Sequence, residues 1–499
     1  MLLLGIDVRT SSIKVTVMDA ATGLALHTEQ YPEKEVEIIS LQPGWAEQSP
    51  DKWWDDVKTA IAKANASRKY NPLDIGAIGI SYQMHGLVLI DKGGNVLRNS
   101  IIWCDSRAVA YGETAFQNIG SSKSLQTLLN SPGNFTAAKL AWVKDKEPHI
   151  YEQVHKVLLP GDFIAYQFTG VVTTTPSALS EGVLWNFQTN AISEEVLNEF
   201  GFDKDLFPHL QNVFSEHGKL SGDVAASLSL TAGIPVTYKA GDQPNNALSL
   251  NVMKPGEVAA TAGTSGVIYG VSNGLTYDPQ SRINTFAHVN HTAAQRSTGV
   301  LLCINGTGIL NRWIKNISGN VHSYETMNNL AAAIPAGSEG LYLLPFANGA
   351  ERILNNKLIG GQLGNIDCNK HSAAHLYRAV QEGIAFAFRY GLDIMRENGM
   401  SPTVIRAGRT NMFLSDVFLE AFVNATGVPV ELHHADGSSG AAIGAGIGVG
   451  YYTGIDEVFK NRQPLATIVP KNIPAYDALY QSWKDLLLAS IERSSAPEE

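Results

Sequence analysis

Residues 1–17, MLLLGIDVRTSSIKVTV, and residues 257–271, EVAATAGTSGVIYGV, repeat one design: a short strand, a tight loop carrying Thr-Ser beside small residues, and a second strand. Loops 9–12 and 263–266 offer backbone N–H groups and short hydroxyls, donors that can wrap a polyphosphate. Asp7 adds an oxygen ligand suited to Mg²⁺ or its waters. A single Gly-Thr-Ser loop is equally an ordinary hairpin turn, so the phosphate reading draws its weight from the repetition. Just ahead of the second copy stands Gly241-Asp242-Gln243-Pro244-Asn245-Asn246. Its composition reads as a turn. Its position reads as a carboxylate at the junction of two halves, where Asp242 can orient an acceptor hydroxyl and take its proton during phosphoryl transfer. A cation and the loop N–H groups would stabilise charge on the transferring group.

Such loops need rigid strands on either side. Residues 2–7, 13–19 and 24–31 read as an antiparallel meander, broken by the Thr-Ser loop and by Thr22-Gly23. Ser49-Pro50-Asp51 supplies an N-cap, a first-position proline and an acidic first turn for a helix carrying Trp53, Trp54, Val57, Ala60, Ile61 and Ala64 at helical spacing. Residues 75–82 read as a buried strand that delivers Gln83-Met84-His85-Gly86 to a loop, and the ends of strands in open α/β sheets are where ligands bind. The second half follows the same plan. Strands are expected over 267–271, 299–304, 403–406 and 428–432, with helices through Ile309, Trp313 and Ile314, from Ser372 along Leu376, Val380, Ile384, Phe388 and Leu392, and over 413–425. Strands and helices alternate, so the class is α/β, with a boundary near residue 247.

A chain of 499 residues exceeds what one hydrophobic core usually serves. Hydrophobic residues are 44% and charged residues 17%, with no low-complexity tract, so disorder is expected only at the SSAPEE terminus. A net charge of −10 without a basic stripe argues against nucleic acid or an anionic membrane as the main partner. Cys104, Cys303 and Cys368 are scattered and form no Cys-x-x-Cys pair, which reads as reduced thiols and not as a disulfide framework or zinc site. The N-terminus enters a strand pattern directly with no leader-like segment, so a cytoplasmic protein is expected. The uncharged stretch 437–454 is too rich in glycine for a membrane span and reads as a buried helix packed through small residues.

GIDVRTSSIKV, Trp45-Ala46-Glu47-Gln48 ahead of Trp53-Trp54, Tyr82-Gln83-Met84-His85-Gly86, Ile102-Trp103-Cys104-Asp105-Ser106-Arg107, Gly241-Asp242-Gln243 and Gly263-Thr264-Ser265-Gly266 together resemble the FGGY family of carbohydrate kinases. The resemblance spans nearly the whole chain. It implies two duplicated ribonuclease-H-like domains of the actin/hexokinase ATPase type around a central cleft: 1–247 on the sugar side, 248–490 on the nucleotide side, and a tail at 491–499. Gln-Met-His-Gly is similar to the segment in family members that act on D-xylulose, whereas those acting on glycerol carry an arginine-containing motif there. The implied reaction is ATP-dependent phosphorylation of D-xylulose to D-xylulose 5-phosphate, with Mg²⁺. Carried over, Asp242 would be the general base, with Gln83, Met84, His85 and Gln243 at the sugar. Asp7, Thr10, Ser11, Lys14, Gly263, Thr264, Ser265, Ala407, Gly408 and Asn411 would serve ATP, Asp7 holding Mg²⁺ through water. Trp103 and Asp105 read as packing and turn residues. Two departures bear on ATP. Arg9 replaces the family's usual glycine, and either reaches over the polyphosphate or fills its site. Arg406-Ala407-Gly408-Arg409 replaces a run of glycines. A kinase for another ketose, polyol or sugar acid, and a non-catalytic sugar-binding protein with a decayed nucleotide site, are the alternatives. Sugar and ATP are the expected partners, and a homodimer is allowed.

Overall fold

The computed structural model describes residues 1–460 and 462–494. Residues 495–499 of the expected disordered terminus lie outside the described residues. The expected tail at 491–499 begins inside a helix, Ile473–Arg493.

Two sheets carry the repeat. In the first, β1 (Leu2–Val8), β2 (Ile13–Asp19), β3 (Ala25–Tyr31), β4 (Ile75–Tyr82) and β5 (Val236–Gly241) lie in the order β5-β4-β1-β2-β3. β1, β2 and β3 form the expected antiparallel meander, and β4 and β5 add to it in parallel. The second sheet contains β6 (Glu257–Ala262), β7 (Gly266–Ser272), β8 (Asn284–Ala287), β9 (Thr298–Ile304), β10 (Val404–Gly408), β11 (Val430–His433) and β12 (Ala466–Ile468). Its order is β8-β9-β7-β6-β10-β11-β12. β6, β7 and β9 repeat the meander, and β10 and β11 repeat the two parallel strands. The duplication legible in two loops therefore extends to the topology of both sheets.

Helices cover the sheets where apolar stripes required them. Ser49 caps Pro50–Ala66, which buries Trp53, Val57, Ala60, Ile61 and Ala64. Ser372 opens Ala373–Glu397, whose Val380, Ile384, Phe388 and Leu392 enter the core of the second half. The helix expected over 413–425 starts later, at Asp416, because Ser415 is its N-cap and residues Asn411–Leu414 form a 3₁₀ turn. Residue 247 falls inside the helix Asp242–Ser249, and the chain reaches the second sheet at Glu257.

The small-residue helix Gly437–Gly448 is shorter than the stretch 437–454, turning out at Gly450 with φ of 76°. No helix among the described residues is long and apolar enough to cross a membrane. This helix follows strands of the second sheet yet lies on β1, β4 and β5 of the first. A Cβ on Gly5 would stand 1.8 Å from the Ser438 carbonyl oxygen, and one on Gly79 2.0 Å from that of Ala441. Backbone touches backbone here. Gly79→Ala is therefore expected to destabilise the protein by about 1–3 kcal/mol or more, as overpacking does. The thermal unfolding midpoint should fall by several degrees; an unchanged midpoint would contradict the close approach.

Candidate active site

β1, β4 and β5 are parallel and end on one edge of the first sheet. Asp7 lies near the end of β1 and Ser81 near that of β4, while Asp242 follows β5 directly as the first residue of its helix. The turn expected from the composition of 241–246 is thus a strand-to-helix junction. Gly241 is required there, because a Cβ would lie 2.6 Å from both Glu181 Oε2 and Met84 Cγ. Asp7, Arg9, Thr10, Ser11, Ser81, Trp103, Asp242 and Gln243 line a cavity of about 380 Å³. Burial and the charge of Asp7 push the Asp242 carboxyl up to a pKa of about 7, against hydrogen bonds from the backbone and side chain of Gln243 and the charge of Arg9.

The loop after β4 is built by its neighbours. Gln83 is buried, donates Nε2–H to Gln48 Oε1 at 2.9 Å and accepts the Thr10 hydroxyl at 3.2 Å. Gln48 in turn accepts from Trp53 Nε1 and donates to the Thr10 carbonyl, and Trp103 Nε1 donates to Thr10 Oγ1 at 2.9 Å. Gln83 therefore holds the hairpin loop 9–12, with its side chain committed to protein. Met84 is buried under Gly241. His85 sits at φ of 65°, its ring against Phe135 and Phe286. Burial, then the charge of Lys139, push its pKa down to about 3, so the ring is neutral near pH 7. Its Nδ1 lies 2.9 Å from the Glu181 carbonyl and must donate to it. Nε2 is left as an acceptor without a protein partner among the described residues. Lys139, fully buried, donates to the carbonyls of His85 at 2.8 Å and Ile102 at 3.0 Å, tying this loop to the segment that carries Trp103.

From the Asp242 cavity a neck of about 130 Å³ is lined by Arg9, Asn246, Thr261, Gly408, Asp436 and Gly437. A larger cavity of about 610 Å³ runs along the second hairpin, lined by Gly263, Thr264, Gly308, Tyr324, Asn411 and Ser415 among others. Gly308 and Ile309, at the start of the helix Gly308–Ile317, donate N–H to the carbonyls of Gly263 at 2.8 Å and Thr264 at 3.1 Å. They pin the loop in place.

Nine of the fifteen residues expected from sequence line these cavities; Gln83, Met84 and His85, described above, line none of the three, and neither do Lys14, Ala407 and Ser265. Lys14 is paired with Asp436 and lines none of the three cavities. Ala407 is fully buried: strand alternation turns its side chain into the core of the second half. Ser265 lies on the second loop but outside the cavity walls. Arg409 lines none of these three cavities; it lines a further one with His433, His434 and Arg462, which shares Thr410, Ala435 and Asp436 with the neck. Three contributors escaped the sequence reading. Trp103 is half exposed and faces the Asp242 cavity, whereas Asp105 is a buried partner of Arg107. Glu181 is buried behind Gly241, and burial holds its carboxyl well above the usual range. Arg352 lies over the Phe135 ring with its side chain in no ion pair or hydrogen bond among the described residues. An exposed tryptophan is the only one of these that sequence could have flagged, through its place in the 102–107 segment.

A xylulose kinase of Bacillus subtilis is 28% identical to this chain over 489 residues, covering 97% of the chain and 96% of that protein. A xylulose kinase of Escherichia coli is 28% identical over 453 residues, covering 89% and 88%. A crystal structure described as a xyloylose kinase from Brucella ovis matches with a TM-score of 0.89 at 27% identity, covering 98% of this chain and 99% of that one. Residues 2–249 match the N-terminal domain, and residues 258–449 the C-terminal domain, of the FGGY family of carbohydrate kinases. With both of its domains matched, the chain belongs to the FGGY family of carbohydrate kinases and is an ATP-dependent sugar phosphotransferase.

Proposed function

We propose that this kinase phosphorylates D-xylulose to D-xylulose 5-phosphate, with Asp242 as the general base. The observation that carries the reaction chemistry is the junction of the two cavities: Asp242 opens onto the same space as the phosphate hairpin, which continues through the neck toward Gly408 and Gly437. ATP lies along the second hairpin with Gly263, Thr264 and Asn411 beside it, and its terminal phosphate enters the neck. The sugar occupies the Asp242 cavity, stacked against Trp103. Asp242 accepts the proton of the attacking hydroxyl, while the acceptor nitrogen of His85 fixes a second hydroxyl further along the chain. The Gln-Met-His-Gly segment and the xylulose kinases among the relatives support D-xylulose as the acceptor.

The donor set fits Mg²⁺. Asp7 Oδ1 is a buried carboxylate oxygen with no partner among the described residues. No group of three or more His, Cys, Asp or Glu residues among them forms a metal cage. A cation that takes one carboxylate and completes its shell with phosphate oxygens and water suits that arrangement. When bound, Mg²⁺ supplies positive charge to the phosphate oxygens during transfer. Asp7 holds it.

A sugar acid is the second reading for the acceptor. The unpaired guanidinium of Arg352, close enough to His85 to lower its pKa, favours it. A coupled ADP-release assay across D-xylulose, D-ribulose, glycerol and D-gluconate separates the two. The expected result is the highest kcat/KM with D-xylulose; a clear preference for gluconate would transfer the assignment to sugar acids, and a preference for ribulose or glycerol would also reject D-xylulose.

The Asp242 carboxyl must be ionised to take a proton, and its folded pKa is raised to about 7. The base is therefore lost as pH falls. We expect kcat/KM for the acceptor to be level above about pH 7 and to drop roughly tenfold per unit on the acid side. A flat profile between about pH 5.5 and 8.5 would remove Asp242 from this role.

A further inference from the structure

The neck and the acceptor cavity share four wall residues, Arg9, Asn246, Thr261 and Gly437, and Arg9 is the only cation among the described residues that line either space. Its Nε donates to Asp7 Oδ2 at 2.5 Å. Its two terminal nitrogens make no hydrogen bond among the described residues, and 40% of the side chain is exposed. Three carboxylates face it: Asp7, Asp242 and Asp436. Burial works against the charge of Arg9, and those carboxylates, Asp7 foremost, still hold its pKa above the usual guanidinium value. The nearby Lys14 is paired with Asp436 and, unlike Arg9, lines neither space. The phosphoryl group must cross a passage whose charged side chains, among the described residues, are Asp7, Asp242, Asp436 and Arg9, so that all but one are acidic.

We propose that Arg9 is a catalytic residue of this kinase, leaving Asp7 to contact the transferring phosphoryl group and counter its charge as it passes from the neck to the acceptor cavity. The inference rests on the phosphoryl-transfer reading of the cleft. In the step, the acceptor O–H proton passes to the Asp242 carboxylate and the acceptor oxygen bonds to the γ-phosphorus. The bond from that phosphorus to the bridging oxygen breaks, and its electron pair leaves on ADP. Arg9 gives and takes no proton. A guanidinium suits this position because its planar donors can grip two phosphoryl oxygens, or move between a carboxylate and a phosphoryl group with little change in geometry. The residue that sequence comparison marks as a departure thus stands where it can serve transfer instead of blocking it.

The test compares wild type with Arg9→Gly and Arg9→Lys at saturating Mg²⁺, ATP and D-xylulose, or whichever acceptor wild type turns over. Arg9→Gly should lower kcat by about 10²-fold or more, the scale seen when one donor to a transition-state oxyanion is removed. The acceptor KM should stay within about threefold, and Arg9→Lys should recover part of the loss, since it keeps the charge without the fork. Calorimetry without Mg²⁺ gives a second readout that needs no turnover: the preference for ATP over ADP should shrink about tenfold in Arg9→Gly, because a charge-assisted contact to the terminal phosphate is lost. Thermal unfolding identifies a variant that merely fails to fold, and Arg9→Lys then carries the comparison. An Arg9→Gly enzyme that folds, keeps kcat within about threefold of wild type and keeps the ATP-over-ADP preference would overturn the proposal. If wild type phosphorylates no acceptor, the functional reading fails instead, and the nucleotide preference still reports on Arg9.

Discussion

Everything in the cleft depends on the contact between the helix Gly437–Gly448 and the first sheet. Gly5 and Gly79 on the sheet, and Gly444 and Gly448 on the helix, each leave no room for a side chain against the opposing surface. Such contact removes the usual layer of side chains between helix and sheet. The register is fixed by hydrogen bonds that cross between the halves: Thr16 with Ser438 at 2.7 Å, Asn245 to the Gly437 carbonyl at 2.8 Å and Thr237 to the Ala445 carbonyl at 2.9 Å. The consequence appears at the first turn of the helix. Gly437 comes so near Asp7 that a Cβ would lie 2.3 Å from Oδ2, which places the helix N-terminus and the first hairpin loop on the same space. Helix N-termini favour anions, so this contact prepares the neck for a phosphate as well as joining the halves.

The price of that geometry is a crowd of carboxylates. Asp7, Asp242 and Asp436 are brought to one passage, with Glu181 behind them, and burial raises the pKa of Asp242 toward neutrality. For a base this is useful, because proton transfer is most efficient when the pKa lies near the working pH. For a polyphosphate it is hostile unless cations enter. In the proposed roles, Arg9 and Mg²⁺ would answer the same electrostatic demand, one built into the chain and one arriving with the nucleotide. Lys14, released from that task, fastens Asp436 at the start of the helix.

The sequence carried most of the architecture because its signals are local. Apolar strand runs, the Ser49 and Ser372 caps and the repeated Thr-Ser loop each depend on neighbours a few positions away, and each has its counterpart in the structure. Residues whose roles depend on distant partners were harder to read. Lys14 looks like a phosphate ligand until Asp436 arrives from 422 positions away. Ala407 resembles a nucleotide contact by its place beside Gly408, yet the pleat of its strand sends it inward. Gln83 looks like a sugar ligand, but Gln48 and Thr10 use its polar atoms. Arg352 carries no local pattern at all. The place of Asp242 on the cavity wall was legible because a turn-like string near a domain junction marks a position that composition alone does not.

The central claim is that Asp242 takes the proton of the sugar hydroxyl within a cleft that binds both substrates independently of that step. Its most direct test is single-turnover transfer from γ-labelled ATP to D-xylulose by Asp242→Asn, with calorimetric binding of sugar and nucleotide measured on the same preparation. Binding of both ligands should persist while label transfer slows by at least about 10²-fold. Label transfer at a near-normal rate would contradict the account.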